Sequence, residues 1–245
     1  MPDIVPLLLN VSEGGSDSGI WFTDTYTPPV NKTIILVTNG VQVAVSPPPI
    51  IPAVIGNGVS WSLLASILYE HGGVDRARLS VFRGLTQAPT TGTTSVGYNR
   101  TMLRQSITVF EFSNTDIGNL GVNAIVGTPG QVEIASSSGL NPSLAVPAGE
   151  DLANSQIGIL GYAEPNMSVS PGIGFVTLIN NPTGEGGGHY LEMSQVVLPA
   201  VDFIVSSDPT FVIVALELRN ATPAPPEGAA QVQGRPAFLS GNLIT

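Results

Sequence analysis

Two histidines, His71 and His189, are all the imidazole the chain can bring to acid–base chemistry. A Ser-His-Asp arrangement is numerically possible, yet no Gly-x-Ser-x-Gly elbow is present. Glycoside hydrolysis needs two carboxylates flanking one bond, and Glu70, Glu185 and Glu192 are the conceivable members. Glu70 and His71 run into Gly72-Gly73, and Glu185 stands within Gly184–Gly188, so both groups read more simply as turns. His189 and Glu192 are three apart, which places them on opposite faces of a strand and spoils joint metal ligation. Asp116, Glu150 and Asp151 could meet calcium, but no EF-hand pattern surrounds them. The glycine-rich 184–188 segment lacks the Lys-Ser/Thr ending of a phosphate loop. The expectation is therefore a chain without catalytic residues, metal or cofactor.

Binding chemistry offers more. Trp21, Trp61, Tyr26, Tyr69, Tyr98, Tyr162 and Tyr190 could form a sugar-stacking platform, although Trp61 beside Leu63 and Leu64 reads as a core residue. Five of the seven arginines, Arg76, Arg78, Arg83, Arg100 and Arg104, fall in one stretch. Arg76, Arg78 and Arg83 are candidates for meeting an acidic partner, against the plainer reading of surface arginines on adjacent strands. A net charge of −10 with a single lysine, Lys32, argues against nucleic acid as that partner, because phosphate neutralisation needs surplus cations. Only 11% of residues are charged, where a typical soluble chain has about 25%. So much neutral surface suits a protein that works against neighbours, and self-association into a homo-oligomer is expected.

No cysteine is present, so burial alone must stabilise the fold. The apolar run near Ile4 has no basic flank or small-residue cleavage site, and no stretch has the roughly 18 apolar residues of a membrane helix. Neither a secretory leader nor membrane insertion is expected.

The elements that must position these groups are strands. The 28 glycines and 21 prolines cut the chain into short apolar runs. Strands are expected over Ile4–Leu9, Thr33–Thr38, Val41–Val45, Ser60–Tyr69, Ala77–Phe82, Gln105–Phe112, Gln131–Ala135, Gln156–Tyr162, Gly174–Ile179, His189–Leu198, Ala200–Val205 and Thr210–Leu218. In Ser106–Phe112 the alternation puts Ser106, Thr108, Phe110 and Phe112 on one face, expected to point inward, with Ile107, Val109 and Glu111 on the other. No repeat of fixed period is visible. The fold class expected is all-β, an antiparallel β-sandwich over residues 1–220 with a Pro/Ala/Gly-rich arm over 221–245. That arm carries Phe238, Leu239, Leu243 and Ile244, candidate anchors for another subunit or for its own sandwich.

Four pieces in order resemble a known family: Thr23–Val37 with its Tyr26-Thr27-Pro28-Pro29 turn, Gly56–Leu64, Arg78–Gly84 followed by Ser106–Phe112, and Phe211–Arg219. Together they are similar to the concanavalin-like jelly-roll domains found in virion proteins of tailed bacteriophages, over roughly residues 3 to 220. The resemblance implies a jelly roll acting as a non-enzymatic structural part of a virion, assembled in the host cytoplasm. Its partners would be capsid or other virion proteins, with capsid decoration or cementing first among the roles and head, neck or tail left open. A lectin-like module binding a receptor or glycan on the virion surface is the alternative.

Overall fold

A computed structural model describes residues 4–14, 18–42, 47–71, 75–118, 124–125, 132–138, 143–145, 155–162, 169–181, 189–194, 200–205 and 210–221. Sixteen strands run through them: β1 (Val5–Gly14), β2 (Ser18–Phe22), β3 (Thr33–Gln42), β4 (Ala53–Gly56), β5 (Ser60–His71), β6 (Asp75–Leu85), β7 (Thr94–Met102), β8 (Arg104–Ser113), β9 (Val132–Ser138), β10 (Ser143–Ala145), β11 (Ser155–Tyr162), β12 (Val169–Pro171), β13 (Val176–Asn181), β14 (His189–Ser194), β15 (Ala200–Val205) and β16 (Thr210–Arg219). Every pairing among them is antiparallel.

Two five-stranded sheets form the body, one ordered β1-β8-β3-β6-β5 and the other β13-β14-β11-β16-β9. They pack face to face as a β-sandwich. Ile35, Val37 and Val41 of β3, Ala77, Leu79 and Val81 of β6, and Phe110 and Phe112 of β8 share one buried cluster with Val212, Val214, Leu216 and Leu218 of β16. Alternation along each strand sends these side chains to the same side.

The opposite face of the first sheet is covered too. A small sheet, β2-β7-β4, lies over it. Ile34 and Leu36 of β3, Phe82 of β6, and Ile107 and Val109 of β8 meet Val96, Tyr98 and Met102 of β7 in a second buried cluster. Consequently all ten residues of β3 are buried, and eight of the ten in β8. The expectation of one inward face on β8 is thereby extended: Phe110 and Phe112 do face the sandwich interior, but Ile107 and Val109 are equally enclosed.

The strand order repeats. Counting eight strands on from β1-β8-β3-β6-β5 gives β9-β16-β11-β14-β13, the order of the second large sheet, and β2-β7-β4 likewise becomes β10-β15-β12. Each set of eight nests its pairs, first with eighth, second with seventh, third with sixth, as a folded-over hairpin does when it rolls into a jelly roll. Both sets also carry a register shift in the same hairpin, between Leu63 and Ala65 in β5 and between Thr177 and Ile179 in β13. The two sets are tied just beyond β8 and β16, where the Asp116 amide donates to the Arg219 carbonyl (2.9 Å) and the Ala221 amide to the Asn114 carbonyl (2.7 Å). These two bonds flank the antiparallel bridge between Thr115 and Asn220.

Asn39-Gly40, which separates two expected strands, lies instead inside the single strand β3. Gly40 is there because Tyr98 is: a Cβ on residue 40 would sit 2.7 Å from the Tyr98 ring. Gly40→Ala should therefore cost about 1–3 kcal/mol through overpacking, read as a lower urea midpoint at unchanged slope. An unchanged midpoint would mean that Tyr98 has room to move.

Candidate interaction surfaces

The three arginines singled out from sequence all lie on β6, but they do not converge. Ala77, Leu79 and Val81 point into the sandwich core, so the odd-numbered Arg83 shares their side while Arg76 and Arg78 face the other way. Arg76 is exposed. Arg78 is tied down locally: its Nε donates to the Pro49 carbonyl (2.6 Å) and a terminal nitrogen to the Ser66 hydroxyl (2.8 Å). Partial burial lowers the affinity of both the Arg78 and the Arg83 guanidinium for its proton relative to a free arginine. Arg78 thus braces the segment before β4 against the β5–β6 hairpin, and no shared cationic patch forms from these three.

The arm anchors Phe238, Leu239, Leu243 and Ile244 lie outside the described residues, as do Glu185, Glu150 and Asp151. His71 closes β5 in the first large sheet and His189 opens β14 in the second. Each flanks the loop of a topologically equivalent hairpin. No group of three or more His, Asp or Glu side chains that could hold a metal occurs among the described residues.

Aromatic side chains are used inside. Trp21 and Trp61 pack against the second cluster, Tyr26 and Tyr98 belong to it, and Tyr69 is in the main core. The Trp21 indole donates to the Ser12 hydroxyl (3.0 Å), and Trp61 lies over Gly84, where a Cβ would come within 2.7 Å of its ring. The side chains of Tyr162 and Tyr190 are outside the described set. Among the aromatics whose packing is described, Phe22 alone is strongly exposed, at 54%.

Two of the sequence motifs meet in space. Gly56, Asn57 and Gly58 all have positive φ (138°, 56° and 67°), a conformation that glycine and asparagine tolerate best. The turn they make aims the Asn57 side-chain amide at the carbonyls of Tyr26 (2.9 Å) and Gly92 (3.1 Å). Tyr26 and Gly92 form a β-bridge, and the Tyr26 and Thr94 hydroxyls are 2.8 Å apart. The Tyr26-Thr27-Pro28-Pro29 and Gly56-Asn57-Gly58 signatures are therefore the two sides of one buried junction that fastens the small sheet at this end.

No family model, curated protein or solved structure matches this chain. Its surfaces must speak from their own geometry.

The surface that sequence reading missed is the outer face of β2-β7-β4. Register places Phe22 beside Ser95 and Ser95 beside Ile55, with Ile20, Gly97 and Ala53 forming the next row. Ile20 is 51% and Ile55 69% exposed, and none of these six side chains is charged. The signal available in sequence was the run Ile20-Trp21-Phe22, but three consecutive apolar residues with no polar position between them give period 2 nothing to reveal.

Beneath that face the Tyr98 hydroxyl is fully enclosed, its nearest partner being the Thr38 hydroxyl at 3.3 Å. Burial raises its pKa well above a free phenol, and burial raises that of Tyr26 as well. A phenol whose folded pKa exceeds its unfolded value near 10 contributes stability that is complete below pH 10 and lost as pH climbs toward the folded value. Stability should fall above about pH 10, with part of that slope removed by Tyr98→Phe, as measured by urea melts between pH 9 and 11.5. Equal slopes for wild type and variant would contradict the assignment.

Proposed function

We propose that this chain is a non-enzymatic structural subunit of a phage virion, most naturally one that decorates or cements the head shell by binding other virion proteins. The observation that carries the reading is the pairing of a tightly closed sandwich with an uncharged, exposed apolar sheet face. In a chain of net charge −10, a face free of charged side chains is where association avoids both desolvating carboxylates and like-charge repulsion. The sequence resemblance to virion jelly rolls supplies the setting. The internal packing of Trp21, Trp61, Tyr26, Tyr69 and Tyr98 weighs against the glycan-binding alternative, which needs such rings exposed on one face.

The arm belongs to this proposal. Ala221 is bonded to Asn114 and so is part of the described body, and a truncation that keeps that bond begins at residue 222. A chain lacking residues 222–245 should keep its melting temperature within about 2 °C, a change of at most about 0.5–1 kcal/mol. Its co-sedimentation with particles that lack the protein should fall at least tenfold relative to the full chain. Undiminished co-sedimentation would remove the arm from the attachment. Failure of the full chain to associate with any particle fraction would overturn the function.

A further inference from the structure

The outer face of β2-β7-β4 is an open valley. Ile20 and Phe22 rise on one side and Ile55 on the other, and the floor between them is Ser95 and Gly97 of β7. Gly97 is not required by the fold. Its φ is not in the positive range, and a Cβ there would find nothing nearer than the Ile20 side chain at 3.9 Å and the Ala53 carbonyl at 4.0 Å. By contrast, Gly40, Gly56 and Gly84 are each demanded by an atom within 2.7 Å of the missing Cβ. Glycine in a mid-strand position weakens a strand and marks a place where another group approaches the backbone closely. Nothing within the described molecule approaches Gly97 from outside.

The size of the face limits what can lie on it. Three strands spaced about 4.8 Å apart, with about five residues each, make a surface roughly 10–15 Å wide and 17 Å long. That is a few hundred Å², well short of the roughly 800 Å² per partner of a stable protein–protein interface. It does match one extended segment of five or six residues. Such a segment is present in this chain: residues 236–245, Pro-Ala-Phe-Leu-Ser-Gly-Asn-Leu-Ile-Thr, contain four large apolar side chains and no charged one. The 14 residues between Ala221 and Pro236 can span up to about 50 Å, comparable with the diameter expected of a body of this length.

We propose that the valley over Gly97 and Ser95 is the docking site for segment 236–245 of this chain, with Phe238 and Leu239 seated between Ile20, Phe22 and Ile55. The uncharged segment matches the uncharged face, and the missing side chain at Gly97 leaves room for the segment's backbone. Docking in trans would link copies and docking in cis would close the valley, and the binding chemistry is the same in both. The inference shares its surface with the virion proposal: docking in trans is one form of that association, and docking in cis would close the face to other virion proteins.

The test uses residues 1–221, which retain all sixteen strands and the Ala221 to Asn114 hydrogen bond. A synthetic peptide of residues 232–245 is titrated in while amide resonances are followed. Saturable shifts confined to Ile20, Phe22, Ala53, Ile55, Ser95 and Gly97 are expected, with binding weakened at least tenfold by Gly97→Arg and separately by Ile55→Asp at unchanged melting temperature. Absence of saturable binding, shifts mapping to another surface, or binding that survives both substitutions would overturn the proposal. Self-association of residues 1–221 that is abolished by Gly97→Arg would assign the face to a second copy and overturn it equally.

Discussion

Strand β3 has no solvent side, and the rest of the structure follows from enclosing it. Ile35 and Val37 look toward the second large sheet while Ile34 and Leu36 look toward the small one, so two different layers are needed to bury a single strand. Fully burying an aliphatic side chain of this size is worth about 1.5–3 kcal/mol, and here consecutive residues collect it on alternating faces. The same holds for β8, where Phe110 and Phe112 alternate with Ile107 and Val109. Without cysteines, this double coverage is the main source of stability available.

Enclosure on both faces raises a polar problem, and the solution explains several residues. Thr38 on β3 shares its hydroxyl with Tyr98, and Thr33 shares its own with Thr115. Glu111, on the covered face of β8, is buried but ion-paired with Lys32, the only lysine in the chain. Its topological counterpart is Glu217 on β16: the pieces Phe110-Glu111-Phe112 and Leu216-Glu217-Leu218 occupy the same place in the two sets of eight strands. Both carboxylates are buried, whereas Glu217 finds no hydrogen-bond partner among the described residues. The two units therefore share a plan without sharing its details, which is why the repeat is visible in strand order and not as a sequence period.

The large sheets were legible in sequence and, β15 apart, the small ones were not. The apolar runs at Thr33–Thr38, Ser60–Tyr69, Gln105–Phe112 and Thr210–Leu218 announce strands because burial demands continuous hydrophobicity there. β2, β4, β7, β10 and β12 escaped because they are short, or, in Thr94–Met102, built from Thr, Ser, Gly and Asn that read equally well as loop. Those strands carry one exposed face, so composition does not mark them, and the surface argued to dock the arm is made of three of them. The arginines show the converse limit of sequence spacing. Spacing in sequence brought Arg76, Arg78 and Arg83 together, but strand alternation divided them between two faces.

β3 is the most enclosed of the described strands and is released only when the whole sandwich opens. Native-state amide hydrogen exchange in low denaturant tests it most directly. The amides of Ile34 through Val41 should exchange with the free energy and denaturant dependence of global unfolding, while those of β2 and β4 exchange through smaller openings. Exchange of the β3 amides through a local opening, several kcal/mol below the global value and insensitive to denaturant, would contradict the account.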